Sequence, residues 1–349
     1  MNIHQNFTGG NIRILKTEGN IIYVDNELRD TVGDWFYWAL CAEDCADKTL
    51  TFRFPKDRIG YYGPAVSHDL KTWQWLGAGE ETDAFTYTFK EDENKVYFAH
   101  SMLYHPDRFY AFAEGKGLQK HTLCTTKRGR TVPYYTFGAG ERTVLLTARH
   151  HACESTGNYV LEGVLEGLLQ ESIPNTNVIC VPFVDLDGVL DGDQGKARAP
   201  HDHNRDYPVT GDSVWPEPAA IRNLAKDGIL YGFDFHSPWH VGGRHDTIFL
   251  VEKVEEKIPE YEKLGEILES VSTPEALKYN KENNIKPGVE WNTGKAPTIA
   301  CYMEAVAKAK LACTLETAYF GTPDNIFAPD KALELGRCFA KAMVEYDKL

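Results

Sequence analysis

The feature that most restricts this chain is a change of hydrophobic period near residue 120. Before it, short alternating or aromatic-rich runs recur: NIRIL (11–15), NIIYV (20–24), DWFYWAL (34–40), TLTFRF (49–54), DAFTYTF (83–89) and KVYFAHSML (95–103). Turn-forming residues separate them, among them Gly9-Gly10, Asp25-Asn26, Gly63-Pro64 and Gly77-Ala78-Gly79. Strand-length runs at such spacing predict an all-β sandwich domain over residues 1–115, uninterrupted by helix.

Beyond residue 120, strands and helices alternate. TVLLTA (143–148), NVICVPFV (177–184), ILYGFDF (229–235) and CTLETAYF (313–320) read as buried strands. A helical stripe of Val160, Leu161, Val164, Leu165, Leu168 and Leu169 follows Ser155-Thr156, either of which suits an N-cap. Residues 215–225, 255–270, 273–283, 298–310 and 331–346 read as further helices. This alternation predicts an α/β domain over residues 116–349, a mixed, largely parallel sheet covered by helices.

Composition excludes several classes. With 42% hydrophobic and 25% charged residues, the chain is ordinary globular protein. A formal charge of −14 repels nucleic acid and anionic membranes. No apolar run is long enough to span a bilayer, and the first residues lack the pattern of a signal peptide. The eight cysteines form no C-x-x-C pair and several sit in apolar runs, which predicts free thiols in a reducing compartment. A cytoplasmic protein with neither nucleic-acid nor membrane partners is expected; homo-oligomerisation is left open.

Ligands of such sheets collect beyond the carboxyl ends of the strands, and the chemically loaded residues lie there. In RHHACES (149–155), His151 and Glu154 are three apart just past a strand and can face one cation. In FDFHSPWH (233–240), a strand ends in Asp-x-His, which offers His236 as a third ligand and Asp234 to orient it. Two imidazoles and a carboxylate leave a fourth zinc position open for water, the arrangement of hydrolytic rather than structural sites. GDQGKARAPHDHNRDY (192–207) is a basic loop in an acidic chain: Lys196, Arg198 and Arg205 suit an anion, and Arg205 with Asn204 can clamp a carboxylate. Glu316 is a lone acid in an apolar strand, as a general base beside a metal would be.

The ordered set H-x-x-E, N-R, a strand ending in His, and T-L-E resembles the zinc carboxypeptidases of the carboxypeptidase A type, and among them the cytosolic carboxypeptidases and their bacterial relatives. The resemblance covers roughly residues 115–349 and includes LCTTKRGRTVPYYTFG (123–138), similar to the hairpin before the first ligand strand. The N-terminal segment resembles the sandwich domain of that subgroup, with GPAVSHDLKTWQWLG (63–77) fitting its usual ending.

The resemblance implies one zinc ion per chain on His151, Glu154 and His236. It implies Glu316 as general base and Asn204 with Arg205 on the terminal carboxylate of the substrate, while His150 is structural. The family's oxyanion-stabilising arginine has no direct counterpart. An ungapped match puts Gly195 there, so Arg198 or Lys196 substitutes, with Arg198 preferred for its fork. Ala152-Cys153 stand where the subgroup has Pro-Gly, and Tyr302 is the candidate for the family's mobile phenol. Asp202, His201, His203, His240 and His245 are expected around the pocket, Trp239 along the cleft, and Lys295 as a contact for acidic substrates. The expected reaction is hydrolysis of the C-terminal peptide or isopeptide bond of a peptide, or of an amino-acid conjugate, with a free carboxylate. The alternatives are a zinc deacylase of the aspartoacylase type, a murein-peptide hydrolase and an inactive binding module.

Overall fold

The computed structural model describes all 349 residues. The N-terminal part holds two sheets. One runs in the order Asn2–His4, Ala39–Glu43, Lys95–Ala99, Ala65–Ser67, Gln74–Trp75; the other in the order Arg13–Glu18, Ile21–Asp25, Thr49–Arg53, Ala84–Thr88. Alternation turns one face of each toward a common core of 17 buried residues that includes Trp38, Phe52, Phe85 and Phe98, while the other face of the first sheet packs Ala39, Ala65 and Ala99 into the main core. Phe85 stacks on Phe52 at 4.9 Å and on Trp38 at 5.8 Å between ring centroids.

The expected strand over 34–40 begins only at Ala39. The backbone before it is satisfied by another partner: Tyr37 N–H donates to Gln194 Oε1 and Tyr37 O accepts from Gln194 Nε2, at 2.9 and 2.8 Å. A helix, Pro106–Gly115, follows where none is expected. Proline sits in its first turn, His105 Nδ1 accepts from Asp107 N–H, and only a narrow stripe with Phe109 and Ala113 is buried.

The second part is built on a seven-stranded sheet in the order Gln119–Thr125, Thr131–Gly138, Thr176–Val181, Arg142–Ala148, Tyr231–His236, Leu311–Glu316, Phe249–Val251. The three central pairings are parallel and the three outer ones antiparallel, so the sheet is mixed with a parallel centre. Its faces bury separate sets of residues. Val144, Leu146, Phe233, Phe235 and Leu315 pack under helices Thr156–Gln170, Ile258–Val271 and Pro329–Asp347. Leu145, Ile179, Val181 and Ala312 pack under Pro216–Leu224 and Ile299–Ala305.

Two local expectations change. Residues 273–283 form turns and one short 3-10 segment, Lys281–Asn283, instead of a helix. Their backbone is bonded sideways, Leu277 N–H to Lys331 O at 3.1 Å and Lys278 N–H to Asn325 Oδ1 at 2.9 Å. The last strand stops at Glu316 rather than at residue 320, and all eight cysteines are unpaired. No helix is long and apolar enough to cross a membrane.

Helices Thr156–Gln170 and Pro329–Asp347 approach closely at two glycines. A Cβ at Gly163 would stand 2.0 Å from Leu333 O, and one at Gly336 would stand 2.1 Å from Val160 O. Substituting Gly163→Ala is therefore expected to destabilise the protein by about 1–3 kcal/mol through overpacking. Denaturant unfolding checks this, because helix propensity alone predicts a gain.

Candidate metal centre and active site

The parallel centre of the sheet fixes the site. Register pairs His236 with Glu316 at the carboxyl ends of neighbouring strands, and Asp234 with Thr147 one strand over. Past Arg142–Ala148 the chain makes a tight turn at Arg149, whose φ is +60°. The buried Arg149 guanidinium holds that turn by donating to Ala152 O at 2.9 Å and to Asn158 Oδ1 at 3.3 Å. Ser155 occupies the N-cap position of the following helix without a side-chain capping bond; Thr156 Oγ1 donates instead to Thr317 O at 2.8 Å.

This turn brings His151 and Glu154 to His236. His151 Nδ1 lies 3.0 Å from Glu154 Oε1, and His236 Nδ1 lies 2.6 Å from Glu154 Oε2. One donor atom of each residue falls within 4.8 Å of the others, and the three residues are 6, 1 and 2% exposed. Zinc holds imidazole nitrogen and carboxylate oxygen at roughly 2.0–2.2 Å, so the set fits a single divalent cation. Burial opposes ionisation of Glu154, but His151, Lys196 and His236 outweigh it and keep its pKa well below the usual range.

The other nitrogen of each imidazole faces a carboxylate, which fixes ring orientation. His236 Nε2 bonds Asp234, and His151 Nε2 lies 3.4 Å from Asp202 Oδ1. Asp234 also accepts from Thr147 Oγ1 at 2.7 Å and faces His150 Nδ1 at 2.9 Å. A second donor set, His150, Asp234 and His236, also clusters. There His150 is fully buried and both its nitrogens are engaged, Nε2 with Tyr207 Oη at 2.7 Å, so it serves the hydrogen-bond network.

A cavity of about 400 Å³ opens above these groups. His151, His236, Glu316, Lys196, Asn204 and Arg205 all line it. Glu316 Oε2 is buried without a hydrogen-bond partner, and burial, with the nearby Glu154 charge, raises the Glu316 pKa. Asn204 Oδ1 accepts from Ile299 N–H at 3.1 Å, and the exposed Arg205 guanidinium meets no carboxylate, only Asn204 O at 3.2 Å. Lys196 Nζ lies 2.6 Å from Glu154 Oε1 and 5.0 Å from the centre of the Trp35 ring.

The structure does not bring Arg198 or Tyr302 to this cavity. Arg198 Nη2 is held at 2.9 Å by both Asp30 and Asp185 and faces a separate cleft with His203 and Trp215. Tyr302 is buried on the far face of the sheet, 6.1 Å from the Tyr207 ring. Trp239 and His245 line the cavity, whereas Lys295 is exposed beside it. His240 stacks on Phe36 at 4.5 Å and His201 bonds Asp206 at 2.7 Å.

Sequence reasoning misses Lys253 and Trp35. Lys253 is only 8% exposed, lines the cavity, and burial pushes its pKa down. Its one signal is a lysine directly following the apolar run FLV (249–251) and Glu252. Trp35 comes from the N-terminal part, more than 100 residues from the nearest ligand in the chain.

The fold is that of the metallo-carboxypeptidases. A metallo-carboxypeptidase of Burkholderia cenocepacia superposes with a TM-score of 0.80 at 17% identity, covering 99% of this chain and 98% of that one. A metallo-carboxypeptidase of Pseudomonas aeruginosa, solved with (2-guanidinoethylmercapto)succinic acid, gives 0.77 at 16% identity over 99 and 98%. In sequence the chain is similar to cytosolic carboxypeptidase 2 of Homo sapiens, 26% identical over 237 residues, and of Xenopus tropicalis, 25% over 224 residues. Those matches cover 59 and 56% of this chain, but the chain spans only 25 and 22% of the length of those relatives. An uncharacterised protein of Zymomonas mobilis is 25% identical over 261 residues, covering 68% of this chain and 67% of its own. No family model matches. The resemblance seen in the motifs thus extends to whole-chain architecture and to sequence: the chain is akin to the cytosolic carboxypeptidases and their bacterial relatives.

Removing the carboxylate behind His236 is expected to loosen the metal centre. Asp234→Asn should weaken affinity for a divalent cation about 10–100-fold, measured by competition with a chromophoric chelator on protein verified as folded.

Proposed function

We propose that the protein is a zinc-dependent metallocarboxypeptidase that hydrolyses the C-terminal peptide or isopeptide bond of a peptide or amino-acid conjugate bearing a free carboxylate. One observation carries the reading. His151 and His236 of the His151–Glu154–His236 donor set line a cavity together with an unpartnered buried carboxylate, Glu316, and an unpaired guanidinium, Arg205. A single zinc ion suits these donors and supplies Lewis acidity and a bound water of lowered pKa.

The remaining chemistry belongs to the chain. Arg205 binds the terminal carboxylate through a charged fork, with the Asn204 amide beside it. Glu316 Oε2 has no protein donor to satisfy, so it is available to take the proton of the attacking water. Its burial favours the protonated form, and it then delivers that proton to the departing nitrogen. Lys196 offers positive charge to the carbonyl oxygen as that oxygen becomes an oxyanion. Arg198 has no part in this step because Asp30 and Asp185 hold it in a separate cleft.

Lys253 selects the side chain of the terminal residue. It is a buried ammonium on the cavity wall, and its partner is best supplied by the substrate, which favours a C-terminal glutamate or aspartate. The succinic acid derivative in the Pseudomonas aeruginosa structure is in keeping with a carboxylate-bearing ligand in such a fold. We further assign residues 1–115 to a β-sandwich domain and 116–349 to the catalytic domain, supported by the separate core of the first two sheets. A cytoplasmic location follows the cytosolic relatives.

Glu316→Gln is expected to keep its metal by elemental analysis while kcat falls by about 10²–10⁴; undiminished turnover would overturn the assignment. Lys253→Met is expected to lower kcat/KM about 10–100-fold for a glutamate-ended peptide and little for a leucine-ended one. Equal losses on both peptides would remove Lys253 from the specificity pocket.

A further inference from the structure

The loop that carries Lys196 has little regular structure of its own. It lies between the metal-binding turn on one side and the N-terminal β region on the other. Gly195 approaches the turn so closely that a Cβ there would stand 2.1 Å from Ala152 N, and Cys153 N–H donates to Gln194 O at 3.2 Å. Two residues of the loop adopt left-handed backbone, Gly195 at φ +78° and Ala197 at φ +48°. Glycine adopts this conformation freely, but at Ala197 it persists only when the surroundings impose it.

The surroundings that impose it come mainly from one side chain 160-odd residues earlier. Asp30 Oδ1 accepts from Gln194 N–H at 3.0 Å, and Asp30 Oδ2 accepts from Gly195 N–H at 2.8 Å and from Arg198 Nη2 at 2.9 Å. Its neighbour Val32 adds a backbone bond from its N–H to Ala197 O at 3.2 Å. The bonded residues 194, 195, 197 and 198 bracket Lys196 on both sides. The carboxylate is 8% exposed, so these charge-assisted bonds are poorly replaced by water. Trp35 from the same N-terminal segment then closes over the Lys196 ammonium at 5.0 Å.

We infer that Asp30 is a positioning residue for Lys196, and that the N-terminal β region is thereby a working part of the active site rather than an appendage. The inference rests on the carboxypeptidase reading for its catalytic consequence. For its geometry it rests only on Asp30, the 194–198 loop and Glu154. Asp30 touches neither substrate nor metal donors; it acts by fixing where the Lys196 charge stands.

The test uses the zinc-loaded full-length chain and the variants Asp30→Asn, which keeps one acceptor, and Asp30→Ala, each alone and combined with Lys196→Met. The first readout needs no turnover: acylation of Lys196 by a trace lysine-selective reagent, quantified by mass spectrometry against the other lysines. In wild type the ammonium is held between Glu154 and Trp35, and its relative rate is expected to rise severalfold in both Asp30 variants. The second readout is peptide hydrolysis. Misplacing a catalytic group by about 1 Å costs on the order of 100-fold, so kcat is expected to fall about that much in Asp30→Ala and less in Asp30→Asn, with KM nearly unchanged. A group that acts through another loses its effect when the other is gone, so in the Lys196→Met background Asp30→Ala should cost almost nothing further. Unaltered Lys196 acylation, or equal kcat losses in the two backgrounds, overturns the inference. If Asp30→Ala fails to fold, the isosteric Asp30→Asn decides alone. If wild type hydrolyses no peptide, the carboxypeptidase reading falls, while the acylation comparison still decides whether Asp30 holds Lys196.

Discussion

One buried carboxylate, Glu154, is where three remote stretches of chain meet. Oε1 lies 3.0 Å from His151 Nδ1 and 2.6 Å from Lys196 Nζ; Oε2 lies 2.6 Å from His236 Nδ1 and accepts from Ser237 N–H at 3.3 Å. An ionised carboxylate at 1% exposure costs several kcal/mol unless charges and donors surround it. Strand register supplies His236, the Arg149-braced turn supplies His151, and the loop clamped by Asp30 supplies Lys196. None of these supports is local to Glu154 apart from the turn. The site therefore depends on the sheet and on the N-terminal region at once.

This dependence explains what could be read from sequence and what could not. His236 and Glu316 are legible because each ends an apolar strand, and His151 and Glu154 because they follow another within six residues, where polar residues have to be explained. The parallel centre of the sheet is legible for the same reason: its strands are continuous apolar runs separated by helical stripes. Arg198 misleads because its value as a cation depends on Asp30 and Asp185, and local sequence says nothing of a partner 168 residues away. The strand expected over 34–40 fails through the same interface, since Gln194 takes the backbone groups of Tyr37 that a neighbouring strand would have used. Helix Pro106–Gly115 and the turns over 273–283 are set by packing and side-chain capping on weakly patterned stretches, where propensity is a poor guide.

Pairing, rather than the number of basic residues, separates the two charged clefts of the molecule. In the outer one, Arg29, Arg128 and Arg198 each meet carboxylates among Asp30, Asp185, Asp191 and Asp193 at hydrogen-bond distance. That cleft is rich in guanidinium groups yet close to neutral. In the inner one, Arg205 meets no acid, and Lys253 forms no ion pair although it is buried. In a chain of net charge −14 these two cations stand without ion-pair partners in one cavity, walled by Trp35, Trp239 and Trp291, whose rings exclude water and so reduce the screening of charge there.

Buried groups without partners lower stability, and two of them, Glu316 Oε2 and the Lys253 ammonium, line this cavity. The fold can carry them because the main core is not confined to the part that holds the metal donors. Its 54 buried residues include Tyr37, Ala65, Trp73 and Ala99 from the N-terminal part together with Leu146, Phe233 and Leu315 from the seven-stranded sheet. The stabilising burial is therefore pooled across both parts of the chain. A catalytic sheet standing alone would have to bear the same unpaired charges with the flank that carries Tyr37 and Trp73 stripped to water. That asymmetry gives a physical reason for the β region and the metal-binding sheet to be joined by a shared core instead of a flexible tether.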